Sequence, residues 1–439
     1  MSTADLQNRV EVDFHTESAF AQDSTSYSGG KRVPVTSPPA ENLPQQRVLV
    51  PANDVRAAGG IPAGGRAVRS GPRSGTFTIE SYLCGTMLTA PADGTAVPNT
   101  WLSELIGYGL GGNDGGPGVS AKTLSGTHTT AQFQVADTTG IEPGSIIWLG
   151  AQGDGRGDGR AYHVKDVPSS TVVQIQPSVA VAPINGDKVH FGRTLYHQPR
   201  TQTGGGSSGT FAHQSLRFMI GRQGTGNQNH YRGAAMQALR IGLPLGEVPT
   251  VSMDYAAAHV KRSAVTVPSA SLDLEDCFAA PVDGGAMTYW GDTTLRAELT
   301  QVRDVELTLD LQVLPIESLH GAVNSDQTVV GWIIAAAIPT LRFRVPADAA
   351  TPTWESWWDT EDPTSADFTK GFMLTATRGR GRLVAICLPK TQIVGMRPQV
   401  SVDTNGLTYH EVTVRGLDLI DDDVSTDDLY RSAFKLGLG

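Results

Sequence analysis

The chain has 439 residues, of which 18% are charged and 39% are hydrophobic, and its formal net charge is −10. This composition excludes a disordered or membrane-embedded protein, and the acidic charge argues against a surface that grips nucleic-acid phosphates. Fifty glycines and 26 prolines predict many turns, and therefore numerous short strands rather than long helices.

The N-terminal region, residues 1–45, is rich in Ser, Thr, Gln and Pro and has little periodicity. We expect an extended arm that becomes ordered only on assembly. Its first residues lack the apolar segment of a secretory signal, so we expect synthesis in a cytosol.

The first core elements are predicted between residues 75 and 108. Phe77, Ile79 and Leu83 alternate with polar side chains over residues 75–83, which predicts a strand with one buried face. Residues 101–108 place three aromatic or apolar side chains on one helical face and predict a short helix. The glycine cluster that follows, residues 109–118, predicts a loop.

Residues 121–200 are predicted to form an inserted small β-domain. Five short strands, separated by Gly, Pro, Asn and Asp, are expected around Phe133-Gln-Val, Ser145-Ile-Ile-Trp-Leu, Tyr162-His-Val, Thr171-Val-Val-Gln-Ile and Lys188-Val-His-Phe. The apolar residues assigned to a separate core are Phe133, Val135, Ile146, Trp148, Val164, Val173, Ile175 and Val189. A Gly/Ser linker, residues 201–209, leads back to the main domain. We expect the insert to face outward and to be dispensable for assembly.

The second half of the chain contains longer strands with one apolar face. Residues 305–313 and 340–345 alternate strictly, and residues 409–417 do so more weakly. Such strands belong in antiparallel sheets with one wet or partner-covered side. The predicted fold class is all-β with one or two short helices.

The cysteines and glycine motifs indicate no chemistry. Cys84, Cys277 and Cys387 have no disulfide or zinc spacing. Residues 205–209 match G-x-S-x-G, but they lie in a linker and not in the strand–helix turn that a nucleophile elbow requires. The glycines at 221, 224 and 226 do not follow a βαβ unit.

Two further motifs are candidate sites. Asp154 and Asp158 flank Arg156, which would repel a calcium ion from this loop. Trp354, Trp357 and Trp358 form an aromatic cluster that favours a core or interface anchor over a sugar-stacking platform. We predict no catalytic, cofactor-binding or metal-binding residues, and therefore no enzyme.

Three segments in a fixed order resemble a known family. They are Tyr231-Arg-Gly with Leu239-Arg-Ile and Gly246-Glu-Val-Pro-Thr-Val-Ser, then residues 305–313 with Pro315 and Ser318, then Leu388-Pro-Lys-Thr-Gln-Ile with Pro398, Asp403, Asn405-Gly-Leu-Thr-Tyr and Val412-Thr-Val. Over about two thirds of the chain the order is similar to that of tail-tube (major tail) proteins of long, non-contractile-tailed bacteriophages. The resemblance makes residues 235–243 a strand paired with residues 250–255, although the alanines alone favour a helix.

The resemblance implies a tail-tube-type β-sandwich or barrel subunit. Residues 46–120 and 210–420 would form the tail-tube β-domain, and residues 421–439 an acidic tail that orders on assembly. Hexameric rings would stack into a tube whose inner barrel lets DNA pass without specific binding. The implied partners are further copies and the tape-measure, tail-terminator and tail-tip proteins, in a virion tail assembled in the host bacterial cytoplasm.

Two alternatives remain at this point. One is another virion tail component, namely a terminator, baseplate or decoration protein. The other is a carbohydrate-binding tail module or polysaccharide enzyme that uses the tryptophan cluster as its platform.

Overall fold

The computed structural model describes residues 10–17, 20–21, 30–43, 47–50, 67–70, 74–84, 100–112, 121–149, 160–198, 200–202, 212–213, 215–222, 228–244, 246–263, 286–291, 296–299, 302–317, 329–346, 369–376, 384–402, 408–419, 424–425 and 427–439. These residues form an all-β protein with two short helices, as the sequence predicts. Within them, no helix is long and apolar enough to cross a membrane.

The strands before the insert include the predicted strand at residues 75–83. They are β1 (Val10–Thr16), β2 (Lys31–Val33), β3 (Ala40–Asn42), β4 (Arg47–Val50), β5 (Ala67–Ser70) and β6 (Gly75–Tyr82). Helix α1 (Trp101–Gly109) follows and confirms the predicted helix. It begins where it does because Thr100 and Ser103 cap each other's backbone N–H groups.

The remaining strands fall into the insert and the main domain. The insert contains β7 (Lys122–Thr123), β8 (Gln132–Gln134), β9 (Ile146–Leu149), β10 (Ala161–Ser169), β11 (Val172–Gln176) and β12 (Lys188–Phe191). The main domain continues with β13 (Arg193–Tyr196), β14 (Arg200–Gln202), β15 (Ala212–His213), β16 (Leu216–Arg222), β17 (Gln228–Leu243), β18 (Thr250–Ser263), β19 (Ala286–Trp290), β20 (Arg296–Leu299), β21 (Arg303–Glu317), β22 (Val329–Pro346), β23 (Thr369–Ala376), β24 (Val384–Val402), β25 (Thr408–Gly416), helix α2 (Asp428–Arg431) and β26 (Lys435–Leu438).

In the described residues eighteen strands join in one sheet, and we call seven consecutive neighbours in it the central sheet. Its antiparallel order is β6–β18–β17–β21–β22–β25–β24. The pairing of β17 with β18 confirms the hairpin that the resemblance implied, with Met236 opposite Tyr255 and Gly242 opposite Thr250.

One face of the central sheet lies in the main hydrophobic core. Every second residue is buried because successive side chains of a strand point to opposite faces. The buried residues include Phe77, Ile79, Met253, Tyr255, Leu239, Ile241, Leu307, Leu309, Leu341, Phe343, Val412 and Val414. The Phe77 ring contacts the rings of Phe218, Tyr231 and Tyr255 at centroid distances of 4.9, 4.4 and 5.3 Å. The alternation predicted for residues 75–83, 305–313 and 340–345 is therefore confirmed.

The described part of the N-terminal region differs from the expected arm, because β1 is an inner strand of the subunit's own sheet. It pairs with β16 on one edge and with β2 on the other. Val12 and Phe14 are buried in the main core. Their short alternation within a polar sequence is enough to fix a strand once two neighbours supply the hydrogen bonds.

Glu17, directly after β1, holds this strand in place. Its carboxylate is buried and accepts hydrogen bonds from the Ser215 hydroxyl at 2.5 Å and from the backbone N–H groups of Ala21 and Gly233 at 3.0 and 3.1 Å. Gly233 has φ +56°, and a Cβ there would lie 2.7 Å from the Phe20 ring, so glycine is required. Burial raises the pKa of Glu17 to about 7.

Replacement Glu17→Gln should flatten the pH dependence of stability. Because the folded pKa of Glu17 lies above that of the unfolded chain, its contribution is complete below pH 4.5 and is lost as pH rises through 7. We expect the wild-type free energy of unfolding to fall relative to the variant by on the order of 3 kcal/mol between these limits. Urea titrations from pH 4.5 to 8 measure this difference. Glu247→Gln, at an exposed position, is the control, and parallel curves for Glu17→Gln and wild type would contradict the assignment.

The C-terminal segment also differs from the prediction, since residues 427–439 belong to the core and are not a tail that waits for assembly. Strand β26 pairs with β13 on one edge and β24 on the other. Phe434, Leu436 and Leu438 are fully buried. The Nζ of Lys435 donates to the carbonyls of Tyr430 and Ser432 at 3.1 Å each, and burial lowers the pKa of this lysine to about 8.

The described residues of the insert form a six-stranded sheet in the order β7–β12–β9–β10–β11–β8, one strand more than predicted. One side carries a core of its own, which contains Phe133, Val135, Val164, Val173, Ile175 and Val189 as expected. The insert sheet ends at β12, earlier than residue 200, because β13 already pairs with β26 in the main sheet.

The other side of the insert sheet is packed against the main domain and is not exposed, in contrast to the separate domain predicted from the sequence. Ile146 and Trp148 lie not in the insert's core but in a second cluster with Ala161, Trp290, Met373, Ala385 and Cys387. Two hydrogen bonds cross this junction, from Ala161 N–H to Thr375 Oγ1 at 3.0 Å and from Ile146 N–H to Thr194 Oγ1 at 2.9 Å. The insert is therefore docked on the main sheet over a packed interface.

Candidate assembly surface

The central sheet has a second, hydrophilic side, which we call the polar face. It consists of the residues that alternate with the core positions along each strand. The residues between its charged side chains are mostly Thr, Ser and Gly. The members are Thr78, Glu80, Ser252, Asp254, Arg240, Gly242, Glu306, Thr308, Asp310, Thr340, Arg342, Arg344, Glu411, Thr413, Arg415, Gln392, Gly395 and Arg397. The sequence predicted the alternation that creates this side but not its ion pairs.

Arginines and carboxylates of neighbouring strands pair across the polar face. Arg240 reaches Asp254 at 2.8 Å, and the same carboxylate accepts a hydrogen bond from Thr78 Oγ1 at 2.7 Å. Arg342 forms an ion pair with Glu306, which raises the pKa of the guanidinium. Such pairs add modestly to cross-strand stability at an exposed surface.

A β-bulge supplies another of these pairs. The register of β21 and β22 shifts between Arg303 and Glu306, and Asp304 adopts the left-handed conformation with φ 50°. The bulge brings the Asp304 carboxylate to 2.9 Å from Arg344 Nη1.

Glu411 lies at the centre of the arginines. Only 7% of its side chain is exposed, and its carboxylate oxygens lie 3.9 Å from Arg342, 3.6 Å from Arg344 and 3.9 Å from Arg397. Strands β22 and β24 flank β25, which carries Glu411, so one carboxylate reaches guanidinium groups from both sides.

Beyond Gln312 the same side of the sheet becomes apolar. A bulge between Gln312 and Val313 keeps the far ends of β21 and β22 paired, with Leu314 opposite Ile333. These two side chains are 54% and 39% exposed. Together with Ile316, Ala336 and Ile338 they form a patch, which we call the apolar end of the polar face.

A strand edge is open next to the charged part of the polar face. Strand β23 pairs with β24 only as far as Gln392, while β25 covers the opposite edge to Val402. Within the described residues, no strand covers positions 393–402 on the β23 side. Val394 and Arg397 on this segment are exposed. An open edge offers backbone N–H and C=O groups to another chain.

Most of the candidate motifs of the sequence lie outside the described residues. Asp154, Asp158, Gly205–Gly209, Cys277 and the cluster Trp354, Trp357 and Trp358 lie outside the described residues, as do Gly224 and Gly226. Gly221 is part of β16, and Cys84 and Cys387 are buried. In the described part of the chain, no group of three His, Cys, Asp or Glu side chains is arranged to hold a metal ion.

Comparisons with known proteins add no relationship: no protein-family model and no curated protein matches the chain.

Proposed function

We propose that the chain is a structural virion protein of the tail-tube type, which closes into rings that stack as a conduit for DNA. The observation that carries this proposal is the central sheet, which is buried on one side, hydrophilic on the other and, among the described strands, open at the β24 edge. A barrel shared between subunits needs this combination, because each copy must extend its neighbour's sheet and turn its polar side to the lumen.

Ring closure requires a heterologous contact, in which different surfaces of two copies meet. The open edge of β24 supplies one such surface. The apolar end, around Leu314 and Ile333, supplies another, since exposed apolar patches rimmed by polar residues are typical of interaction sites. The hexameric state and the tape-measure, terminator and tail-tip partners are part of this proposal through the resemblance.

Assembly should depend on the apolar end. Purified wild-type chain is expected to form rings or tubes in negative-stain images and fast-sedimenting species at high concentration. The double substitution Leu314→Ser/Ile333→Ser should leave the melting temperature nearly unchanged, since both side chains are partly exposed, but should abolish those species.

The matched control is Val181→Ser/Ile184→Ser, which removes two apolar side chains that are 81% and 62% exposed on the insert. This pair should assemble like wild type. A wild-type chain that sediments as a monomer at every concentration, even with added tail-tip nuclei, would refute the tail-tube role. Glycan binding without assembly would favour the carbohydrate-binding alternative.

A further inference from the structure

The polar face poses a problem for a DNA conduit, because it is rich in arginine. Arg240, Arg342, Arg344 and Arg397 all lie on it, and the side chain of Arg397 is 76% exposed. Guanidinium groups bind phosphate well, and several together give salt-dependent affinity for any DNA sequence. Without paired carboxylates, these arginines would bind a DNA duplex and hinder its passage.

Carboxylates on the polar face itself are paired with its arginines. Glu306 and Asp304 pair with Arg342 and Arg344, and Glu411 lies within 3.9 Å of both and of Arg397. The carboxylates come from strands on both sides of β22, so they lie among the guanidinium groups and not at the margin of the cluster. A phosphate approaching these arginines must compete with carboxylates that are already in contact with them.

We propose that Glu411, with Glu306 and Asp304, is a built-in counterion that keeps Arg342, Arg344 and Arg397 from binding the backbone of duplex DNA. Glu411 is the central member because it is the most buried of the three and reaches three arginines from one position. The identification of duplex DNA as the excluded ligand rests on the proposed function of the chain as a DNA conduit. The counterion role itself is a property of the single subunit.

The role is testable on unassembled protein with the substitution Glu411→Gln, which keeps the shape of the side chain and removes its charge. We expect fluorescence anisotropy with a short labelled duplex in low salt to show negligible binding by wild type. The variant should bind at least about tenfold more tightly, with an affinity that falls steeply as salt is added.

Asp137→Asn is the matched control. Asp137 on the insert forms an ion pair with Lys122 at 2.7 Å. Like Glu411→Gln, this substitution removes one negative charge from a carboxylate that is paired with a basic side chain. Binding by Glu411→Gln that is no tighter than binding by Asp137→Asn would overturn the proposal, as would tight binding by wild type.

Glu306→Gln covers the case in which Glu411→Gln does not fold, because the Glu306 side chain is 39% exposed and its loss disturbs no buried contact. Circular dichroism establishes folding of each variant before binding is compared. Imaging of tubes is independent of these measurements, so failure to assemble refutes the proposed function while the anisotropy series still decides the counterion role.

Discussion

Truncation of the chain after Ser432 is expected to unfold the subunit, because it removes β26 from two ladders at once. Phe434, Leu436 and Leu438 are fully buried, and the loss of three such side chains costs roughly 5 to 9 kcal/mol. A domain is typically stable by only about 5 to 15 kcal/mol. Circular dichroism and a thermal melt of the truncated protein measure the effect.

The single substitution Leu436→Ala serves as a graded comparison for the truncation. It keeps both ladders and should cost about 2 to 5 kcal/mol, which leaves a folded but less stable subunit. A truncated chain that melts at the wild-type temperature would show that the C-terminal segment is an appendage of the kind expected from its sequence.

Trp148→Ala is expected to destabilise the protein by about 3 to 5 kcal/mol, the usual cost of emptying the space of a buried aromatic side chain. The indole is fully buried at the junction of the insert and the main sheet. Its surroundings are closely packed: a Cβ on Gly437 would lie 2.8 Å from Trp148 Cη2, and one on Gly192 would lie 2.8 Å from Cζ3. Urea unfolding of variant and wild type measures the loss.

Val181→Ala is the control for this measurement, because Val181 is on the same insert but 81% exposed, and it should change stability little. A Trp148→Ala protein as stable as this control would show that the junction contributes no stability.

The junction also changes the expectation for removal of residues 121–200. That deletion takes away β13 and uncovers Trp290 and Cys387, so we now expect it to impair folding.

The fold class and the long strands could be predicted because strict alternation of apolar and polar residues over many positions indicates a strand with one buried face. Strand β21 shows this best, since its apolar positions from Val305 to Leu311 are all buried. The β17–β18 hairpin needed the resemblance, because its alanines have high helix propensity and only their neighbours in the sheet decide otherwise.

The structures of the two chain ends and of the insert junction could not be predicted, because they depend on contacts between residues that are distant in the sequence. Alternation places Ile146 and Trp148 on one side of β9, but it does not say whether that side meets the insert or another domain. The buried state of Glu17 depends on Ser215 and Gly233, which are far away in the sequence. Contacts on the polar face have the same origin, since the Thr78 hydroxyl reaches the Asp254 carboxylate only through the pairing of β6 with β18.

The position of β26 has a consequence for biosynthesis. Its ladder with β13 joins Leu195 to Leu436, a contact of very high sequence separation, and such contacts slow folding. During translation β13 emerges long before its partner, so its edge and that of β24 stay open on the ribosome. Neighbouring nascent chains on one message carry the same open edges. Slow translation through this interval therefore favours strand exchange between chains over completion of each subunit.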